Sequence, residues 1–204
     1  MPSRNVIKID LAGSYYHVYA RGASKGDIFL EDADYTYFIS LFKRYLSQKN
    51  CQSSAGVAYP NYKEDLELLA YCLMKNHFHL YVYQKHEQAM SKFMRSVMTS
   101  YSRYFNIKYK RTGALFESRY KAARTDTDEY LQHITRYIHL NPKYWKLYPY
   151  SSLNYYIDKA KAEWICPNRI LALFSDSQEY RHFLNDYEDH RDMLARIKYE
   201  LADY

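Results

Sequence analysis

The segment 76–82 reads NHFHLYV and has one histidine on each side of a phenylalanine. Its apolar and aromatic composition predicts a β-strand, in which successive side chains point to opposite faces of a sheet. His77 and His79 would then share one face, about 7 Å apart along the chain, and Phe78 would point into a core. Two imidazoles side by side can hold a divalent metal ion between them. The segment therefore predicts a metal-binding pair.

A second segment, 130–142, carries residues with which such a metal would act. Read as a helix, it stacks His133, Tyr137 and Asn141 on one face at steps of four, about 6 Å per step. A metal ion polarises a phosphodiester, and a neighbouring tyrosine becomes a better nucleophile than free phenol, whose pKa is about 10. Attack gives a covalent phosphotyrosine that a second strand end can reverse. The two segments together predict phosphoryl transfer through tyrosine.

The metal and its third ligand are predicted from the donor types. Two imidazoles alone favour zinc or manganese, whereas a carboxamide from Asn141 and phosphate oxygens favour a harder ion. We predict Mg²⁺ or Mn²⁺, with either Asn141 or His133 as third ligand. A zinc hydrolase is disfavoured because no carboxylate has the expected spacing from the histidines. His17 and His139 are interpreted as structural, the commoner role of strand and helix histidines.

The composition limits the class of protein. The chain has 204 residues, 48% apolar and 25% charged, which is typical of one globular domain with at most a small appendix. Three widely spaced cysteines fit neither a disulfide framework nor a zinc cluster. No apolar run has the length of a membrane span or a secretory signal. We expect a cytoplasmic protein that does not bind membranes.

Charge is distributed unevenly along the chain. Residues 92–124 hold nine basic side chains and one acidic one, interleaved with tyrosine and phenylalanine, whereas residues 175–204 hold eight acidic and four basic side chains. A basic block with aromatic rings is typical of a nucleic-acid surface, although a solvated helix face would show a similar pattern. The predicted nucleic-acid-binding residues are Arg95, Arg103, Lys108, Lys110, Arg111, Arg119, Lys121 and Arg124.

The periodicity of apolar residues predicts the order β-α-ββ-α-β-α. Strands are expected at 14–20, 66–74, 77–84 and 120–124, and helices at 32–49, 88–106 and 128–141, the last capped by Asp126 or Asp128. This order indicates an α+β fold with helices packed on an antiparallel sheet. We place the main domain at residues 1–150 and a C-terminal helical extension at 151–204.

Several segments together resemble a known family, the REP-associated tyrosine transposases, a branch of the single-tyrosine HUH transposases of small insertion sequences. The matching segments are 16–22 (YHVYARG), 70–80 (AYCLMKNHFHL), 113–121 (GALFESRYK), 136–142 (RYIHLNP) and 150–152 (YSS). The chain departs from relatives at Ala23-Ser24 and at Lys143-Tyr144-Trp145, where relatives often have Asn after Gly22 and an apolar residue after Pro142.

This resemblance implies a ferredoxin-like HUH fold, with His77 and His79 as metal ligands and Tyr137 as nucleophile. Asn141 matches the position where relatives carry an amide-bearing third ligand, and His133 remains the alternative. Attack on single-stranded DNA would leave a 5′-phosphotyrosine and a free 3′-hydroxyl. The implied partner is single-stranded DNA with hairpin palindromes of the REP type, bound by a monomer or homodimer. The rival hypothesis is a domesticated protein that binds hairpin DNA or RNA without cleaving it.

Overall fold

The computed structural model describes residues 10–49, 51–125, 127–157 and 160–186. The strands are Ser14–Arg21 (β1), Leu66–Met74 (β2), His77–Gln84 (β3) and Lys121–Thr125 (β4). The helices are Asp32–Leu46 (α1), Ala89–Lys108 (α2), Asp128–Leu140 (α3), Asn154–Ile157 (α4), Asn168–Leu171 (α5) and Ser177–Asn185 (α6). The predicted element order is confirmed, with α1 ending three residues before its predicted limit and α2 extending two beyond.

The four strands form one sheet in the order β2-β3-β1-β4, and each neighbouring pair is antiparallel. This order, produced by a β-α-β-β-α-β chain, is that of a ferredoxin-like fold. The predicted α+β class is therefore confirmed. Since β1 and β3 are central neighbours, the sheet brings residues about 60 positions apart in sequence to adjacent places.

Alternation along β3 decides which layer each side chain enters. Phe78, Leu80 and Val82 are fully buried in the core beneath α1 and α2. Tyr81 points the other way, into a second core that includes Ile134 and other apolar residues of α3. The sheet is thus covered by helices on both faces, and the face with His77 and His79 is the one beneath α3.

The start and end of α3 set the position of Tyr137. Thr127 is the N-cap and its side chain accepts a hydrogen bond from the Tyr130 backbone N–H. The predicted cap Asp128 is instead the first residue of the helix, where its charge favours the helix dipole, and Asp126 lies outside the described residues. The helix ends at Leu140, two residues before Pro142.

Residues after 150 pack against α3 and the edge of the sheet. His139 on α3 bonds the Tyr180 hydroxyl at 2.7 Å and the Ser152 hydroxyl at 2.8 Å, and burial lowers its pKa to about 3. His139 has the structural role predicted for it. The short helices α4 to α6 match the helical character expected of the extension, and residues 187–204 lie outside the described residues. The domain boundary at residue 150 stays a prediction.

No described helix combines the length and hydropathy needed to span a lipid bilayer.

A buried carboxylate joins α1 to α2. The Asp34 side chain is 0% exposed, and its oxygens accept hydrogen bonds from Lys108 Nζ at 2.6 Å and the Tyr109 hydroxyl at 2.7 Å. The backbone N–H groups of Leu30 and Glu31 also donate to it. Burial alone would raise the pKa of Asp34, but the hydrogen bonds from these partners outweigh it and hold the pKa below 3.8.

Asp34→Asn is therefore expected to reduce the free energy of unfolding by about 3 kcal/mol, because Lys108 and its partners lose a buried charge. Since the folded-state pKa is lowered, this contribution is complete above pH 3.8 and is lost as the pH falls further. Urea unfolding at neutral pH measures it, with the exposed Asp32→Asn on the same helix as control. Equal stabilities of the two variants would contradict the assignment.

Candidate active site

The two central strands bring three imidazoles together on the face beneath α3. The rings of His77 and His79 have centroids 5.0 Å apart, as do those of His79 and His17. Nε2 of His17 lies 3.0 Å from Nδ1 of His79. The predicted pair is thus on one face, and His17, which sequence reasoning set aside as structural, lies in direct contact with it.

Tyr137 lies over this group from α3. Its ring meets His79 edge-on at a centroid distance of 5.3 Å and His17 at 5.9 Å, and its residue is 9% exposed. The Asn141 side chain lies within hydrogen-bonding reach of both the Tyr137 hydroxyl and the His77 ring. A phenol, two imidazoles and a carboxamide therefore converge at the C-terminal end of α3.

Hydrogen bonds fix which nitrogen each ring presents. Asn76 Nδ2 donates to the Lys25 carbonyl at 3.2 Å, so its Oδ1 is the atom that lies 2.7 Å from His77 Nδ1. That oxygen only accepts, so Nδ1 of His77 carries the proton and Nε2 carries the lone pair. In His79 it is again Nδ1 that is engaged, by His17. In both rings Nδ1 makes this contact, which leaves Nε2 as the nitrogen that could bind a metal ion.

The electrostatics keep both imidazoles neutral. Burial, together with the positive charge of Arg21, lowers the pKa of His77 to about 4, against a hydrogen bond accepted by the Asn141 side chain that raises it. Burial and the neighbouring His17 and His77 hold the pKa of His79 well below 6.5. At neutral pH both rings have the neutral form, with one nitrogen lone pair free to bind a metal ion.

The phenol of Tyr137 is protonated at neutral pH. Burial raises its pKa to about 12, although a hydrogen bond from Asn141 and the charge of Arg21 act in the opposite direction. The hydroxyl becomes a nucleophile only where added positive charge stabilises the phenolate.

Arg21 and Gly22 lie beside the histidines, although the sequence marked them only as part of the matching segment 16–22. Arg21 pairs with His77 across the sheet and is exposed, so its guanidinium can reach a phosphate beside the histidines. The Gly22 N–H donates to the Asn76 carbonyl at 2.9 Å. A Cβ on Gly22 would lie 2.1 Å from the Gly26 carbonyl oxygen, so only glycine permits this loop to close.

His133 is not beside the histidine pair. Its Nδ1 lies 2.7 Å from Arg136 Nη2, and its ring packs on Phe183 at 5.5 Å, between α3 and α6. Eight helical residues also separate it from Asn141, a rise of about 12 Å. Of the two candidates for a third ligand, only Asn141 is brought to His77.

The predicted basic residues do not form one surface. Lys108 pairs with Asp34 and Glu31, so its charge is already engaged within the protein. Arg95 and Arg103 are exposed on α2, which covers the sheet face opposite Tyr137. Lys121 lies nearest the site, with Nζ 5.9 Å from the Tyr19 ring, which in turn contacts His79. The remaining predicted residues are exposed: Lys110, Arg111, Arg119 and Arg124.

In the part of the chain that the structure describes, no three His, Cys, Asp or Glu side chains form a metal-binding group. The candidate donors here are of mixed type, the imidazole rings of His77 and His79 and the Asn141 carboxamide. Such a set, with oxygens from substrate, fits a divalent ion of intermediate hardness.

Comparison with known proteins gives two matches. The family model described as IS200-like transposase matches residues 57–141, which include both histidines, Tyr137 and Asn141. A solved structure of a REP-associated tyrosine transposase bound to a REP hairpin has a TM-score of 0.51 and 12% identity, covering 72% of this chain and 80% of that chain. At this identity the likeness shows the fold. The comparison with curated proteins gives no match. The family match agrees with the resemblance seen in the sequence over residues 57–141.

Proposed function

We propose that this chain, whose residues 57–141 match the family model described as IS200-like transposase, is a metal-dependent single-stranded DNA endonuclease and strand transferase. It would cleave and rejoin DNA at hairpin palindromes through a phosphotyrosine on Tyr137. The observation that carries the proposal is the convergence of Tyr137, His79 and His77, with the Tyr137 ring edge-on to His79 and the Asn141 side chain within hydrogen-bonding reach of Tyr137 and His77.

The proposed metal ligands are Nε2 of His77, Nε2 of His79 and the Asn141 side-chain oxygen. Mg²⁺ or Mn²⁺ bound there would stabilise negative charge on the phosphate and on the attacking oxygen. Asn76 and His17 are positioning residues, because each engages Nδ1 of one ligand and so orients its ring.

In the proposed cleavage step, the Tyr137 oxygen forms a bond to the scissile phosphorus as the bond from phosphorus to the 3′ oxygen breaks. The phenol loses its proton and the departing 3′ oxygen gains one, which leaves a 5′-phosphotyrosine and a 3′-hydroxyl. Rejoining reverses the step, with a 3′-hydroxyl attacking and Tyr137 leaving. Arg21 and Lys121 lie where their charges would bind the phosphates next to the scissile one.

The proposed substrate is single-stranded DNA that folds into a REP-type hairpin. Support comes from the related structure, in which a transposase of the same fold is bound to a REP hairpin. The exposed Tyr144 ring and the exposed Arg21 suit a stacked base and a phosphate.

Incubation with a randomised single-stranded DNA pool tests the proposal. A covalent adduct that survives denaturing electrophoresis is expected with Mg²⁺ or Mn²⁺ and is expected to disappear in EDTA. Retained DNA binding with no adduct under either metal would replace the proposed enzyme with the rival, a hairpin-binding protein without cleavage activity.

A further inference from the structure

We propose that residues 143–147, together with a pocket at the end of α3, form a stacking site for the unpaired DNA bases next to the scissile phosphate. This segment, here called the post-helix loop, carries Lys143, Tyr144, Trp145, Lys146 and Leu147. The inference rests on the proposed function, because it assigns part of the DNA to a place beside Tyr137.

The position of the pocket is the first argument. A pocket of about 400 Å³ is lined by Leu140 and Pro142, the two residues that flank Asn141. Trp145 and Lys146 from the post-helix loop and Leu184 from α6 complete much of its wall. Since the Asn141 side chain lies within hydrogen-bonding reach of Tyr137, the pocket lies within a few residues of the proposed nucleophile.

The exposed side chains are the second argument. Tyr144 is 74% exposed and Leu147 88% exposed, a strong concentration of apolar surface in five residues. Exposed apolar patches of this kind mark interaction sites. Aromatic rings in such a patch stack on bases of any sequence, because every base has a π-face.

The positive charge of the post-helix loop favours nucleic acid as the molecule that binds to this surface. Lys143 Nζ lies 5.4 Å from the Tyr144 ring and Lys146 Nζ lies 5.1 Å from the Trp145 ring, so each ring has an ammonium group beside it. None of the described residues that line the pocket is acidic. Rings for bases and ammonium groups for phosphates occur here at neighbouring positions, as single-stranded DNA requires.

The chain has two tryptophans, which permits a direct test with a labelled oligothymidylate in EDTA. Trp164 is buried in the core beneath α1 and α2, so Trp164→Phe leaves Trp145 as the sole reporter and serves as the control. DNA is expected to quench fluorescence in Trp164→Phe and not in Trp145→Phe. Trp145→Ala is expected to weaken binding roughly tenfold.

The lysines give a second readout. Lys143→Gln combined with Lys146→Gln is expected to lower the slope of log affinity against log salt by about 1.4, since each phosphate contact on single strands contributes about 0.7. Trp145→Ala is expected to leave that slope unchanged.

Unchanged affinity and no quenching of Trp145 would overturn the inference. If Trp145→Ala instead shifts a monomer–dimer equilibrium in sedimentation while DNA affinity is unchanged, the surface binds a second copy and the inference also fails. The covalent adduct separates this failure from that of the proposed function. If wild type and Trp145→Ala both form the adduct at saturating DNA and bind DNA equally tightly, only the stacking site is contradicted. If neither protein forms an adduct, the proposed enzymatic function is contradicted.

Discussion

Tyr137→Phe is expected to abolish the covalent protein–DNA adduct and to leave DNA affinity unchanged. The substitution removes only the hydroxyl, so the ring keeps its edge contacts with His79 and His17. Loss of a nucleophile reduces turnover by at least about 10⁴-fold in enzymes where it has been removed. Denaturing electrophoresis measures the adduct, and anisotropy of a labelled strand measures binding.

Tyr130→Phe provides the matched control, because Tyr130 is in the first turn of the same helix. That variant is expected to form the adduct as wild type does. An adduct of undiminished yield in Tyr137→Phe would show that another residue attacks the phosphate.

His77→Ala and His79→Ala are each expected to lower the affinity for Mn²⁺ by more than about 100-fold, because a proposed ligand is lost outright. Asn76→Ala should have a smaller effect, about 10- to 100-fold, since it leaves His77 in place and removes only the partner that orients it. Calorimetric titration with Mn²⁺ measures all three without reference to activity.

His86→Ala is the control for these variants, because His86 is exposed just beyond the end of β3 and bonds Asp65. Its Mn²⁺ affinity should equal that of wild type. Equally tight Mn²⁺ binding by a variant that lacks both His77 and His79 would place the metal elsewhere.

Local periodicity was sufficient to predict much of the fold. The limits of β2 and β3 match the predicted ranges, because unbroken apolar and aromatic runs between turn residues mark buried strands. Strand alternation placed His77 and His79 together on one face, and the four-residue helical step placed Asn141 beside Tyr137. Each of these relations depends on neighbours in sequence.

Relations between distant segments were not predictable in the same way. His17 joins the site because β1 pairs with β3 in a register that sets Tyr19 opposite His79, and one sequence does not reveal this register. Arg21 enters through the same pairing, opposite His77. The signal for both was the β-strand alternation that puts residues 17, 19 and 21 on one face.

His133 and Lys108 have contacts other than those predicted, again because of packing between segments that are distant in sequence. His133 shares the helical step with Tyr137 and Asn141, but tertiary packing places it against Arg136 and Phe183. Lys108 contributed to the charge of the basic block, yet a buried carboxylate on another helix engages it. Counting charges along a chain does not reveal which of them already have partners.

The most direct test is an anomalous difference map from crystals containing Mn²⁺. One strong peak is expected, bonded to Nε2 of His77 and Nε2 of His79, with the Asn141 amide and the Tyr137 hydroxyl on the same side. A peak bonded to other residues, or bonded through Nδ1 with the phenol turned away, would contradict this expectation.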